Sequence, residues 1–315
     1  MVLYLQVWNT FRLNFKKESK KWILISLLVI SGVSLTFSKI NFVDHKTFDD
    51  NFLKKNVFIK YNLKIPDSEY YKFGIEKVSL TEKVFVAMID KNVNQSMSPQ
   101  IIYKNQEIEI HEIDIVVNQW WLSRNPADAF YIDVRLYIDK AVPMGFVNDL
   151  KEELSRNSSR RVSFVVFPSD LEIERLFKYY YAIPSILTSY GKDSRAIADS
   201  LIKSNNISNV IKLKIDNSGN CFFNGFAINK NDLGIQIENE LRANLKSAFL
   251  LSYADATAYS EFIYLISQIR KITHKIRNDL AIKEYGVSFD DLRFLDEYFV
   301  FIKNYPLLVF DFIEN

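Results

Sequence analysis

The chain of 315 residues is 48% hydrophobic and 25% charged, with 40 basic and 38 acidic residues and a net charge of +2. That length accommodates two domains, and that composition builds folded cores, not disorder. The near-neutral charge removes the electrostatic reason to expect nucleic acid as a partner. Cys221 is the single cysteine, which excludes an intrachain disulfide and a cysteine-based metal site. A cysteine-poor chain suits the cytoplasm or a bacterial periplasm. The 25 Phe and 17 Tyr are read mainly as core filling.

The leader MVLYLQVWNTFRLNF mixes apolar residues with Arg12 and then a lysine cluster. It reads either as an amphipathic segment along the inner leaflet or as a loosely held tail. From Trp22 to Ser38 there are 17 consecutive uncharged residues. As a helix they span about 25 Å, slightly less than a hydrocarbon core of about 30 Å. Lys20, Lys21 and Lys39 can snorkel across the difference, and Trp22 suits the headgroup boundary. Ser31, Gly32 and Ser34 offer small surfaces for a neighbouring helix, and the hydroxyls of Ser26, Ser31, Ser34 and Thr36 can bond their own carbonyls.

Arg12, Lys16, Lys17, Lys20 and Lys21 precede this segment, whereas only Lys39 and Lys46 follow closely. The asymmetry predicts a cytoplasmic tail over 1–21, a transmembrane helix over 22–38, and residues 40–315 outside the inner membrane. A cleaved signal peptide competes with this reading. Its basic region would have to run through some 21 residues, and the run ends Leu35-Thr36-Phe37-Ser38 without a small-x-small site. A buried soluble helix is the third option, disfavoured by the bracketing lysines. Residues 39–80 read as a mixed, partly extended connector.

Beyond residue 80 the sequence carries one pattern twice. KVFVAMID sets Val84, Val86 and Met88 against Phe85, Ala87 and Ile89. VIKLKID sets Ile211, Leu213 and Ile215 against Lys212 and Lys214. Hairpin signals follow at Tyr103-Lys104-Asn105-Gln106 and Phe222-Phe223-Asn224-Gly225. The first hairpin is longer, by the stretch around NVNQSMSPQ. Next come helical patterns, with Ile113, Val116, Val117 and Trp120 on one face in the first copy. In the second, Leu233, Ile237, Leu241 and Leu245 share a face, with Asn231 as N-cap.

Each copy then reaches a strand, a turn and a second helix. Asp139 and Phe146 are seven apart, as are Asp255 and Phe262. The aspartate closes the strand and the aromatic lies in the first turn of the helix, where Pro143 is also tolerated. The first copy ends with RRVSFVVFP. The second inserts a long helix and SFDDLRFLDEYFVFIKN before YPLLVFDFIE. The predicted fold class is α+β: one N-terminal transmembrane helix, then two similar two-layer modules reading strand-strand-helix-strand-helix-strand. Module 1 is placed at 81–188, a linker at 189–209 and module 2 at 210–315. LEIERLFKYYYAI and SRAIADSLIKSNN, between the modules, read as helices.

A short tail, a single span, a connector and an α+β module resemble the ExbD/TolR family of biopolymer-transport proteins. The family's pattern near Asp-x-x-Val-Pro-Tyr-Gly is similar to Asp139-Lys140-Ala141-Val142-Pro143-Met144-Gly145, with Met144 in the aromatic position. The second copy, Asp255 to Glu261, keeps the aspartate and, as Tyr259, a tyrosine, but lacks the proline and glycine. Its tail resembles Bacteroidota-type ExbD proteins. The resemblance implies a polytopic ExbB/TolQ-like membrane partner, a TonB-like periplasmic partner, and modules that dimerise. Here the tandem modules would pair within one chain, each satisfying the other's sheet edges.

In that family a membrane aspartate alternates between charged and neutral states. No carboxylate lies between Trp22 and Ser38. The resemblance therefore implies a scaffold subunit that carries no protons, with a second, Asp-bearing ExbD-like chain as a possible companion. The rival reading is a membrane-anchored periplasmic binding or scaffold protein unrelated to an ion-driven motor.

Other chemistry is sparse. His45, His111 and His274 lack metal-ligand spacing, and there is no phosphate loop or nucleophile elbow. Asp139 and Asp255 sit before helices, where capping or turn formation is the better account than catalysis. No catalytic, cofactor or metal residue is assigned. The repeated turn positions Asp139, Pro143, Gly145, Phe146, Asp255, Tyr259 and Phe262 are the candidate structural or partner-binding residues.

Overall fold

Alternation of apolar side chains from Val84 to Ala87, followed by turn residues and amphipathic helical runs, produces the first of two sheets. A computed structural model describes residues 54–75, 81–90, 97–123, 133–156, 161–168, 179–184 and 194–313. The segment 22–38, with the anchor positions Trp22 to Thr36, lies outside the described residues, as does residue 45. Among the described residues no helix is long and apolar enough to cross a membrane.

A helix α1 over residues 54–60 and strand β1 (Lys72–Ile75) come first. Then follow β2 (Thr81–Ile89), β3 (Ser98–Tyr103), β4 (Gln106–Ile108), α2 (Ile113–Leu122), β5 (Asp133–Ile138), α3 (Met144–Arg156) and β6 (Arg161–Val165). Strand β7 (Tyr179–Pro184) and α4 (Ser194–Ser204) connect the copies. The second copy runs β8 (Asn209–Ile215), β9 (Cys221–Phe223), β10 (Phe226–Ile228), α5 (Lys230–Ala243) and β11 (Ser247–Tyr253). It ends with α6 (Tyr259–Tyr285), α7 (Phe289–Leu292), α8 (Glu297–Asn304) and β12 (Leu308–Ile313).

The sheets order as β1-β7-β6-β5-β2-β3-β4 and β10-β9-β8-β11-β12. Removing β1 and β7 leaves two identical orders, so the sequence repeat is a repeat of topology. Each copy has one strand more than expected before its first helix. The turn residues explain it: Lys104 and Asn105 have φ of 48° and 65°, and Asn224 and Gly225 of 50° and 90°. Two consecutive left-handed residues make the tight hairpins β3–β4 and β9–β10. The cap of α5 is Asn229, whose side chain accepts from the Asn231 backbone N–H, two residues before the expected Asn231.

The first sheet is covered on both faces, and the second on both only at β11 and β12, which corrects the two-layer expectation. Val84, Val86, Leu136 and Ile138 face one way and join a continuous core that runs through α2, α3, α5 and α6 to Ile211, Leu213, Phe249 and Val309 of the second sheet. Phe85, Ala87, Ile102 and Tyr137 face the other way and are equally buried, under Val57, Phe58, Leu63 and Ile65. A strand apolar on both faces requires two covers. On the second sheet Phe310 and Phe312 take the outer face with Ala198 of α4. Strand β8, with exposed Lys212 and Lys214, is buried on one face only, as its alternation indicates.

Two further expectations are overturned. The tyrosines of LEIERLFKYYYAI form a strand from Tyr179, not a helix, because this β-favouring run ending at Pro184 pairs antiparallel with the open side of β6. Strand β1 then pairs antiparallel with β7. Strand β1, within the stretch 39–80 read as a mixed, partly extended connector, is therefore the edge of the first sheet. The sister copies also do not satisfy each other's sheet edges: among the described residues no strand pairs across the two sheets.

Candidate functional site

The two strand-to-helix turns meet each other. Pro143 and Ala258 form an antiparallel bridge. Met144 donates its backbone N–H to Thr257 O at 2.8 Å and Gly145 to Asp255 O at 3.0 Å. In return Tyr259 donates to Val142 O at 2.8 Å and Ser260 to Lys140 O at 3.1 Å. These donors belong to the first turns of α3 and α6, whose N–H groups have no partner within their own helices. Each turn thus supplies carbonyls that cap the sister helix.

The aspartates share a position but not a job. Asp139 is buried; its Oδ2 accepts from Lys64 N at 2.7 Å and its Oδ1 from Ala141 N at 2.9 Å. Both carboxylate oxygens are committed to backbone. Asp255 is exposed, and Thr257 holds its turn instead, its hydroxyl accepting from Ala254 N at 3.2 Å. Gly145 lies directly against Asp255: a Cβ there would sit 3.1 Å from Asp255 Oδ1 and 3.3 Å from its Cβ. Close backbone approach is what this glycine permits.

Beneath the turns lies an aromatic cluster. Phe262 is edge-on to Phe164 and Tyr253, each with centroids at 5.7 Å, and stacks on Tyr259 at 6.3 Å. Its sequence counterpart, Phe146, is only half-buried. Next to Phe262, Lys151 of α3 forms a fully buried ion pair with Asp311 of β12. Tyr253 donates its hydroxyl to Asp311 Oδ2 at 2.5 Å, and Lys151 Nζ lies 5.3 Å from the Phe262 centroid. Burial, then the Asp311 charge, hold the Tyr253 phenol well above its ordinary pKa of 10.0. This helix-to-strand pair ties the first copy to the last strand of the second.

The structure brings together Asp139, Pro143, Gly145, Asp255, Tyr259 and Phe262 from the expected set, and leaves Phe146 at the margin. It also adds Lys151, Asp311 and Tyr253. Asp311 carries a readable signal, a lone carboxylate inside LLVFDFI, since a charge in a buried strand demands a partner. Nothing in KEEL marks Lys151. Chemically the seam is a lock: its buried ion pair, Lys151 with Asp311, is dry, and its backbone donors are capped. His111 lies exposed in the turn before α2.

Tyr259 is completely buried and its hydroxyl has no hydrogen-bond partner among the described residues. An unsatisfied buried hydroxyl costs about 1–3 kcal/mol. The variant Tyr259→Phe keeps the ring and removes that cost, so it should raise stability by about 1 kcal/mol. Urea unfolding of the two proteins side by side is the check; a destabilised variant refutes this reading of the hydroxyl.

Compared with known proteins, the chain matches no family model and no curated protein.

Proposed function

We propose that the chain is a non-enzymatic, membrane-tethered subunit of an ExbB/ExbD-like complex of the bacterial inner membrane, with its two modules in the periplasm. In this reading residues 22–38 are the tether, packed beside a polytopic ExbB/TolQ-like partner. The chain carries no protons, because the tether has no carboxylate. A second, Asp-bearing ExbD-like chain supplies that function, and a TonB-like periplasmic protein is the energised component.

One observation carries the proposal: two copies of one topology are locked through reciprocal capping of their equivalent turns. A paired module of fixed geometry suits a scaffold that has to resist or transmit displacement. The duties of Asp139 add support, since both its oxygens serve the turn. Purification of the detergent-extracted chain from its native membrane tests this. A polytopic ExbB-like protein should accompany it; its absence under mild extraction defeats the motor-subunit reading.

An exposed apolar ridge favours a second reading, a tethered periplasmic binding protein without a motor. Phe294 and Phe299 are 87% and 79% exposed, beside Val300 and Leu295 at 56% and 44%. Side chains of this size gathered on one exposed segment mark interaction surfaces. A periplasmic protein recovered without any polytopic partner would favour this reading.

A further inference from the structure

Away from the seam, α6, α7 and the segment leading into β1 enclose a cleft of about 130 Å³ lined by Lys72, Arg270, Arg277, Arg293 and His274. Among the described residues Asp290 is the one carboxylate lining it, and that carboxylate already pairs with Arg293. Among the described lining residues four cations face one anion, with His274 neutral. Concentrating like charge in a partly desolvated cleft is unfavourable unless an anion offsets it.

The cleft displays that cost. Burial holds Arg270 down at about 10, opposed by Tyr70 and aided slightly by Arg277; burial brings Arg277 to about 10 as well, against Tyr298 and Tyr70. Burial also pulls His274 below its ordinary 6.5, opposed by Asp290 and reinforced by Lys72, Arg293 and Arg277. Lys72 reaches solvent, yet partial desolvation and then Arg293 and Arg270 lower its pKa too.

A second, independent observation comes from Thr273. It is 93% buried, lines the cleft, and its hydroxyl has no hydrogen-bond partner among the described residues. A buried hydroxyl of this kind is a donor waiting for an acceptor. The donors also approach from different elements: Lys72 from β1, Arg270, Thr273 and Arg277 from α6, and Arg293 from beyond α7. One carboxylate is planar and satisfied by a single guanidinium fork, whereas a tetrahedral dianion presents acceptors in several directions.

We propose that this cleft binds a tetrahedral oxyanion of the phosphate class, as free phosphate, a phosphate monoester or a phospholipid head group. Arg270 and Arg277 supply the inner charge, Thr273 a hydroxyl donor, and Lys72 and Arg293 close the rim. The inference stands independently of the membrane-complex reading.

The test is calorimetric titration of the full chain in zwitterionic detergent with inorganic phosphate, and with acetate as the planar control. Phosphate should bind saturably and acetate at least about tenfold more weakly. The rim variant Arg293→Met, at an exposed position, should weaken phosphate binding about tenfold while leaving the unfolding midpoint in phosphate-free buffer unchanged. Phosphate should also raise the His274 pKa from its depressed value, read from the imidazole proton resonance that His274→Gln removes. The facing groups are Tyr70 and Lys72 before and in β1, Asp290 and Arg293 around α7, Tyr298 of α8, and Arg270 and Arg277 of its own helix.

Reconstitution separates the sources. If anionic phosphatidylglycerol vesicles weaken phosphate binding relative to phosphatidylcholine vesicles, the head group occupies the cleft. If they do not, the ligand is free phosphate or a monoester. Absence of saturable phosphate binding, equal affinity for acetate, or no effect of Arg293→Met overturns the proposal.

Discussion

Replacing Asp311 by Ala is expected to cost about 3–5 kcal/mol of stability, the penalty for leaving a buried lysine without its counter-charge. Lys151 and Asp311 have side chains 0% and 1% exposed, so solvent cannot substitute for the lost carboxylate. Tyr253 loses its acceptor in the same step. The damage falls between the copies, because the pair links α3 of the first with β12 of the second. Denaturant unfolding followed by tryptophan fluorescence measures it, Trp120 being buried and donating its indole N–H to Tyr103 Oη at 2.7 Å.

The companion variant Lys151→Met with Asp311→Leu removes both charges and keeps the volume. It should recover most of the loss and lie within about 2 kcal/mol of the parent, since an apolar pair avoids the desolvation cost. A single Asp311→Ala loss below about 1 kcal/mol, or a double variant no better than the single, contradicts this account of the seam.

Phe262→Ala is expected to cost about 3–5 kcal/mol, the range for deleting a buried aromatic that leaves a cavity. Phe262 is fully buried and touches Phe164, Tyr253 and Tyr259. Phe146→Ala, at the equivalent position of the first copy, should cost only about 1–2 kcal/mol, because its side chain is half-buried and less area returns to water. Equal losses would mean that the two halves contribute alike to the seam, against the observed asymmetry. Parallel unfolding curves for the two variants decide between them.

The repeat was legible because it is written in local signals. Val84 to Ala87 and Ile211 to Ile215 alternate with the period of a strand, and Ile113, Val116, Val117 and Trp120 recur with that of a helix. Asn105 and Asn224 mark turns that require left-handed backbone. The long helix α6 was also readable, and it stops at Gly286, whose φ of 72° is the usual helix terminator. Each of these depends on residues within a few positions of one another.

The failures lie where distant segments decide. The tyrosine run from Tyr179 became a strand because β6 offered it an open edge. Residues 54–65 became the outer cover of the first sheet because Phe85, Ile102 and Tyr137 needed one. The predicted pairing of the copies was realised through helices and turns where edges were expected, since β7 and β1 continue the first sheet past β6. The cationic cleft was invisible for the same reason. Lys72 is separated from Arg270 by almost two hundred positions, and no spacing rule connects them.

By itself the sequence determined the doubled module, its turn positions and most of its element types, because dihedral preference and side-chain periodicity act over a few residues. Only the tertiary structure decided what those turns do. Asp139 and Asp255 are the same letter at the same place in each copy, yet one is buried holding two backbone N–H groups and the other is exposed. That difference comes from Lys64, whose backbone N–H reaches Asp139 across 75 positions of chain, and from Gly145, whose missing side chain lets the second turn come close. Burial and partnership are properties of packed neighbours, and packing is settled only when the two halves meet.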